Sequence, residues 1–341
     1  MHEAMLFDKL DDNKVRCNLC GHRCVIPEGK IGVCHVRENI GGTLYTLVYG
    51  NLISSHVDPI EKKPLYHYLP GSRSFSIATP GCNFQCMWCQ NWEIAQMPRS
   101  YDIRTDKLTP PEQVVQSALA SGSSSIAYTY TEPTIFFEYA YDTSRLAHQA
   151  GIGNVYVTNG YMTPEMLDTY HPFLDAANVD LKAFNKKTYH RYVGAGLQPV
   201  LDSMIKMKKL GIWLEVTTLV IPGINDQPDE LRQAAEFVAR ELGVDTPWHI
   251  SRFFPHYKMR DIPATPLQTM ELAQAIGQEL GLKYVYLGNV AGESNTYCPD
   301  CGQLLVRRQG YQAVVIGIDD NQCTNCGAYV AGVWQTAQPS G

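Results

Sequence analysis

Eleven cysteines in three tight groups constrain this 341-residue chain more than any other feature. Cys17, Cys20, Cys24 and Cys34 crowd its first tenth. Cys82, Cys86 and Cys89 form a second group, and Cys298, Cys301, Cys323 and Cys326 a third. No cysteine lies between 90 and 297. Scattered core cysteines, which behave as small hydrophobes, do not cluster in this way. The first ten residues carry Glu3 and Asp8 and no apolar run, so no secretory signal peptide is expected. No apolar stretch approaches the roughly 20 residues of a membrane span. The expectation is a cytoplasmic protein whose grouped thiols stay reduced and bind metal. The groups also divide the chain. A Cys-rich metal-binding region is expected over 1–70, a core over 71–290 and a second small metal-binding region over 291–341.

The core has the composition to fold, since 45% of residues are hydrophobic and 18% charged. The net charge of −6 disfavours nucleic acid and anionic membranes as partners, because both demand a basic face. Lys206, Lys208 and Lys209 read as a solvated helix face, and Arg307 and Arg308 as a solvated loop.

Between the cysteine groups, strand and helix patterns alternate. Short β-rich runs at 75–79, 125–130, 154–158, 178–181, 213–221, 248–253 and 284–287 predict strands. Amphipathic stretches at 109–121, 133–149, 164–170, 199–210, 228–242 and 266–280 predict helices. Thr109 is expected to cap the first helix, with Pro110 and Pro111 opening it. Some six βα units in succession mean a parallel sheet with helical crossovers, open or curled into a full or partial barrel.

The polar motifs fall where such folds build their sites, after the carboxyl ends of the strands. The second cysteine group follows the first strand. Thr131-Glu132-Pro133 follows the second, and Thr158-Asn159-Gly160 the third. Asp180 and Lys182 straddle the end of the fourth. Pro222-Gly223 follows the fifth, and Pro255-His256 the sixth. An isolated Asn-Gly or Pro-Gly would be a turn signal only; here six motifs share one rim.

Cys82-x-x-x-Cys86-x-x-Cys89 places three thiolates in one eight-residue loop. A [4Fe–4S] cube normally takes four cysteines, so three leave one iron open to a small chelating molecule. Zinc held by three cysteines and a histidine is the alternative, but no histidine lies between His67 and His148. This spacing, with Trp88 just before the last cysteine, resembles the radical S-adenosylmethionine (SAM) superfamily. Val179-Asp180-Leu181-Lys182, Thr158-Asn159-Gly160 and Leu219-Val220-Ile221-Pro222-Gly223 are similar to the pyruvate formate-lyase activating enzyme branch. Cys17-x-x-Cys20-Gly-His-x-Cys24, Gly32-Val33-Cys34-x-Val36-Arg37-x-Asn39, Asp58-Pro59-Ile60-Glu61-Lys62-Lys63-Pro64, Tyr128-Thr129-Tyr130-Thr131-Glu132-Pro133-Thr134 and the terminal Cys-x-x-Cys-Gly pairs resemble the radical enzyme of the AmmeMemoRadiSam family.

The resemblance implies an α/β partial (β/α)6 barrel with a Cys-rich N-terminal and a zinc-ribbon-like C-terminal appendage. It implies an oxidoreductase-like enzyme in which Cys82, Cys86 and Cys89 hold the cluster and the methionine end of SAM chelates the open iron. Reductive cleavage would give a 5′-deoxyadenosyl radical that abstracts hydrogen from an unidentified substrate. Trp88 would pack beside the adenine, or simply in the core. Tyr130, Thr131 and Glu132 would lie by the methionine amino group. Thr158, Asn159, Asp180, Lys182 and Pro222 would lie around the sulfonium and ribose, and His256 at the substrate end. Glu132 has two readings, a carboxylate partner for an ammonium or a helix N-terminal acid; His256 could equally be a loop histidine without a role. Implied partners are a flavodoxin- or ferredoxin-type electron donor and Memo-type and AMMECR-type proteins. Two departures weigh against activation of a glycyl-radical partner, because Val157 and Thr217 stand where such activases carry aspartate and arginine.

The flanking groups read differently. Cys298-x-x-Cys301-Gly and Cys323-x-x-Cys326-Gly are two knuckles, expected to form a complete structural zinc site, with rubredoxin-like iron as the alternative. Cys17, Cys20, Cys24 and Cys34 fit either a zinc site, with His22 as a possible substitute ligand, or an auxiliary iron–sulfur cluster. A protein holding only these zinc sites would be a binding scaffold, the reading from outside enzymology.

Overall fold

A computed structural model describes residues 1–335; positions 336–341 of the expected C-terminal region lie outside the described residues. Eight strands form the central sheet, and they lie in it in chain order: β1 (Ser54–Pro59), β2 (Arg73–Ala78), β3 (Ser125–Tyr128), β4 (Gly153–Thr158), β5 (Ala176–Asp180), β6 (Trp213–Val220), β7 (Trp248–Arg252) and β8 (Val285–Gly288). From β2 to β8 every neighbouring pair is parallel. The crossovers are helical: α1 (Pro111–Ala120), α2 (Phe137–Gln149), α3 (Pro164–Tyr170), α4 (Gln198–Lys209), α5 (Pro228–Phe237) and α6 (Leu267–Glu279). Strands buried along their length and joined by such crossovers are what a parallel sheet demands. The expected α/β architecture is the one observed.

The differences from expectation are local and have physical causes. Thr109 does not cap α1; Pro110, extended at ψ 152°, occupies the N-cap without a side-chain hydrogen bond. Residues 133–136 form a 3-10 turn before α2. α5 loosens into a π turn over 238–242. β5 begins at Ala176, two residues early, because Ala176 and Ala177 are small and fully buried. β1 was not expected as a strand, and it pairs antiparallel with β2 from Ser54↔Ala78 to Pro59↔Arg73. The sheet thus takes its edge from within the first 70 residues.

The sheet packs apolar residues on both faces. Ile126, Tyr128, Tyr156, Ala177 and Val179 face the helices in the main core. Ala127, Val155 and Ala176 face Ile60, Leu65, Tyr68 and Leu69. The 60–69 segment therefore fills the inner face near the amino ends of the strands. Glu215 on β6 fixes it there, accepting hydrogen bonds from the backbone N–H groups of Tyr66 (3.0 Å) and His67 (2.7 Å) and pairing with His249 Nε2 (2.6 Å). Asn178 on β5 donates to the Pro64 carbonyl at 2.8 Å.

Two smaller regions flank the sheet. At the N-terminal side, strands Phe7–Lys9, Val15–Cys17 and Val25–Ile26 make one antiparallel ribbon, and His2–Glu3, Arg37–Ile40 and Thr43–Thr46 another. At the C-terminal side, Thr296–Tyr297, Leu304–Gln309 and Gln312–Val315 form a three-stranded sheet. Arg308 lies on its central strand and is buried, which corrects the reading of Arg307 and Arg308 as a solvated loop; only Arg307 is exposed. The Arg308 guanidinium sits 4.3 Å from the Tyr66 ring and donates to the Tyr66 carbonyl at 2.6 Å, welding this sheet to the 60–69 segment. Among the described residues no helix is long and apolar enough to cross a membrane.

Candidate active site

The loop after β2 carries Cys82, Cys86 and Cys89, and four elements pin it. Gln85 and Met87 donate their backbone N–H groups to Val193 (2.9 Å) and Tyr192 (3.0 Å), in the π turn 189–193 that follows β5. The Lys258 N–H, from beyond β7, reaches the Met87 carbonyl at 3.0 Å. The Gly81 N–H meets the Ile94 carbonyl, and the Gln96 amide the Phe84 carbonyl, both at 3.0 Å. Phe84 itself is buried edge-on to Tyr161 and Tyr189. A chain with no regular structure of its own is thereby held rigid, as a ligand-bearing loop requires.

Burial raises all three thiols. Cys82 goes well above the ordinary range and Cys86 is pushed up to about 12, although Lys182 pulls Cys86 the other way. Such sulfurs become thiolates only when metal takes the proton's place. The donor set suits an iron–sulfur cluster. It is three sulfurs with no histidine among them, and among the described residues no three of their donor atoms and neighbouring acids lie mutually within 4.8 Å, as single-ion ligands would. The Phe84 N–H points at Cys82 Sγ across 3.3 Å, a hydrogen bond of the kind that tunes cluster potentials.

The neighbouring rim loops close on this loop. Asn159, after β4, donates to Asn83 Oδ1 at 2.7 Å and lies 4.0 Å from Cys82 Sγ. Glu132, after β3, is buried. Its Oε1 accepts from the Thr134 N–H (3.0 Å) and from the hydroxyls of Thr134 (2.6 Å) and Thr158 (2.7 Å), and its Oε2 accepts from the Asn159 N–H (2.8 Å). Glu132 caps the 133–136 turn, and its carboxylate also locks the β3 and β4 loops together. Burial raises its pKa against those hydrogen bonds. Thr131 donates to the Thr79 carbonyl at 2.8 Å. Asp180 and Lys182 form a 3.0 Å ion pair beside Cys86, and both the aspartate and the sulfur hold Lys182 charged despite its burial.

The remaining expected residues are placed less centrally. Trp88 is buried in the main core, as its structural alternative requires. Pro222 opens the turn 222–225. His256 forms an isolated bridge with Met259, and its buried Nε2 has no hydrogen-bond partner. Tyr130 adopts φ +63° and aims its hydroxyl at Asp58, whose other hydrogen bonds come from Lys62 (2.8 Å) and Lys63 (2.7 Å). Burial would raise Asp58, but those three donors hold it well below the usual carboxylate range. Burial lowers Lys63 to about 8 in spite of the aspartate.

Sequence reasoning missed two asparagines. Asn83 receives Asn159 and offers its carbonyl to His22 Nε2 at 2.8 Å. Asn225 accepts from the Ile221 N–H (2.7 Å) and donates to the carbonyls of Leu219 (2.8 Å) and Lys182 (2.9 Å), tying the β6 and β5 loops. Pro-Gly-x-Asn at 222–225 carried a signal, since asparagine three residues after proline is a turn-former.

The C-terminal cysteines form a separate centre. Cys298, Cys301, Cys323 and Cys326 bring their sulfurs mutually within 4.8 Å, with Cys298–Cys326 and Cys301–Cys323 each at 3.7 Å. Zinc–sulfur bonds of about 2.3 Å imply tetrahedral edges of about 3.8 Å. The two knuckles repeat one geometry. The N–H of Gly302 bonds the Cys298 carbonyl at 2.9 Å and that of Gly327 the Cys323 carbonyl at 2.8 Å, with φ of +72° and +74°. Only glycine adopts that backbone without strain.

Known proteins resemble this chain in sequence and fold. The family model described as the Radical SAM superfamily matches residues 76–238. The chain is 48% identical over 331 residues to an uncharacterized protein of Methanocaldococcus jannaschii, covering 96% of this chain and 98% of that one. It is 23% identical over 262 residues to a GTP 3′,8-cyclase of Picosynechococcus, covering 67% and 76%. A radical SAM methyltransferase structure from Sphaerobacter thermophilus shares the fold, at 14% identity and TM-score 0.51 over 70% of this chain and 71% of that one.

Proposed function

Because the chain belongs to the radical SAM superfamily, we propose that it is a hydrogen-abstracting enzyme whose cluster is held by Cys82, Cys86 and Cys89 and whose substrate is a small molecule or a modified residue. When bound, the cluster supplies one electron to the sulfonium of S-adenosylmethionine, which splits into methionine and a 5′-deoxyadenosyl radical. The observation that carries this reading is the convergence on one three-cysteine loop of side chains from the ends of β3, β4 and β5.

The chain's own residues hold and orient. The 189–193 turn and Lys258 fix the loop from outside. Glu132 sets the β3 and β4 loops so that Asn159 faces Cys82, and the Tyr130–Thr134 stretch is left lining the methionine side. Asp180 and Lys182 offer paired charges beside Cys86 for the ribose and carboxylate of the cosubstrate. Trp88 shields the loop from water as part of the core. The unpartnered Nε2 of His256 is the group set aside for substrate. The C-terminal four cysteines hold zinc in a structural role. A reducing, cytoplasmic setting and a flavodoxin- or ferredoxin-type donor follow from the chemistry. Memo-type and AMMECR-type partners rest on the motif resemblance. Glycyl-radical activation is disfavoured, since Thr217 donates its hydroxyl to Asn178 at 2.8 Å inside the sheet where an activase would carry arginine.

Anaerobically purified protein is expected to be brown and, with dithionite and S-adenosylmethionine, to form 5′-deoxyadenosine. Cys86→Ala is expected to reduce that to background. Colourless protein that leaves the sulfonium intact would overturn the reading.

A further inference from the structure

The two four-cysteine sets differ in build. The C-terminal sulfurs are gathered as around one ion, and Cys301 and Cys326 are exposed. Among the described residues no three of the Cys17, Cys20, Cys24 and Cys34 sulfurs lie mutually within 4.8 Å. Their loops are nevertheless folded onto one another by the backbone, and the Arg23 N–H closes a turn on the Cys20 carbonyl at 3.0 Å. The backbone sets this spread. The Cys17 N–H bonds the Cys24 carbonyl at 2.9 Å across the ribbon, and the turn at 32–35 folds over Cys24, with a Cβ on Gly32 lying 3.9 Å from its sulfur. None of the four is exposed. In a cube each cysteine takes a different iron corner, so its ligands stand further apart than those of a single ion. One sulfur also has a cationic donor, since Arg37 Nη1 lies 3.6 Å from Cys17 Sγ and its guanidinium is paired with Glu138. A charged N–H donor favours the more negative, reduced form of a cluster.

The set also abuts the catalytic loop. His22, between Cys20 and Cys24, bonds the carbonyl of Asn83, the residue after Cys82. Arg99, from the segment just after the catalytic loop, donates to the carbonyl of Val33, the residue before Cys34, at 2.8 Å. A Cβ on Gly81 would stand 2.7 Å from Val36, so the two loops touch there. The Gly21 N–H bonds the Tyr161 carbonyl at 3.1 Å, two residues beyond Asn159.

From this spread, burial and placement we infer that Cys17, Cys20, Cys24 and Cys34 hold a second [4Fe–4S] cluster, not zinc, and that it is the entry point for the electron used at Cys82, Cys86 and Cys89. A reduced flavodoxin or ferredoxin would lose one electron to the N-terminal cluster. That cluster would be reoxidised as the same electron passes to the catalytic one, so it ends each turn unchanged. The inference rests on the proposed function for its second half alone; the metal assignment stands apart from it.

The test counts metal in anaerobically prepared protein. Wild type should hold about eight iron, about eight sulfide and about one zinc. The Cys82→Ala/Cys86→Ala/Cys89→Ala protein should keep about four iron, with an electron paramagnetic resonance signal on reduction that added S-adenosylmethionine does not change. About four iron with two zinc in wild type, or a triple variant devoid of iron, would overturn the cluster. For electron entry, the ratio of flavodoxin-driven to dithionite-driven 5′-deoxyadenosine formation should fall at least about tenfold in Cys20→Ser/Cys34→Ser. An unchanged ratio in a variant that has lost those irons would overturn the relay. Wild type that leaves S-adenosylmethionine intact would instead sink the proposed function and leave the iron count to stand or fall by itself.

Discussion

The two cysteine-rich regions carry the same number of thiols and sit at opposite ends of the parallel sheet. The N-terminal one leans on loops that follow β2 and β4, at the carboxyl ends where the candidate active site lies. The C-terminal one leans on the 60–69 segment, at the amino ends: the Val333 N–H bonds the His67 carbonyl and the Leu69 N–H the Val333 carbonyl, each at 2.7 Å. One sits beside the candidate site and the other against the scaffold. In parallel α/β folds the carboxyl end hosts function and the amino end stability. Equal ligand counts therefore do not imply equal roles.

Each region is joined to the rest by a buried arginine, and this gives the largest expected contrast. Arg37→Met would strand the buried Glu138 carboxylate, costing about 3–5 kcal/mol. Arg308→Met removes hydrogen bonds to Tyr66, Ser294 and Thr296 but breaks no direct ion pair, so about 1–3 kcal/mol is expected. Urea denaturation of both variants checks the order; equal costs would break the contrast.

Acid should loosen the C-terminal contact. His67 bonds the Ala331 carbonyl (2.8 Å) and the Tyr286 hydroxyl (2.7 Å), and burial lowers it to about 4. A histidine held neutral in the fold binds fewer protons than when unfolded, so its stabilisation is complete above about pH 6.5 and is lost as pH falls toward 4. Between pH 7 and pH 5 the loss is about 2 kcal/mol. His67→Gln should flatten that dependence when the two proteins are unfolded side by side, and parallel curves would refute it.

The smallest effect belongs to the surface of the N-terminal region. Arg23 forks onto Glu165 at 2.7 and 2.9 Å, with both side chains substantially exposed. Arg23→Ala should cost about 0.2–1 kcal/mol and leave the iron content intact.

Much of this was legible from residue order. The strand–helix alternation emerged because buried strands and amphipathic helices leave different periods, and the rim motifs fell where parallel sheets place them. What escaped depended on tertiary partners. β1, reading Ser-Ser-His-Val-Asp-Pro, has no apolar alternation and becomes a strand only because β2 offers an edge. Glu61, Lys62 and Lys63 look like solvated surface, yet Glu61 and Lys63 are buried because Gly71 and Asp58 meet them. Glu132 reads as a helix N-terminal acid in the sequence, but its bonds to Thr158 and to the Asn159 N–H at the end of the next strand could not be read there.

The 60–69 segment has one further consequence. It stoppers the inner side of the sheet near the amino ends of the strands with the chain's own apolar residues, Ile60, Leu65, Tyr68 and Leu69, so water is kept from that side by a piece of the same chain.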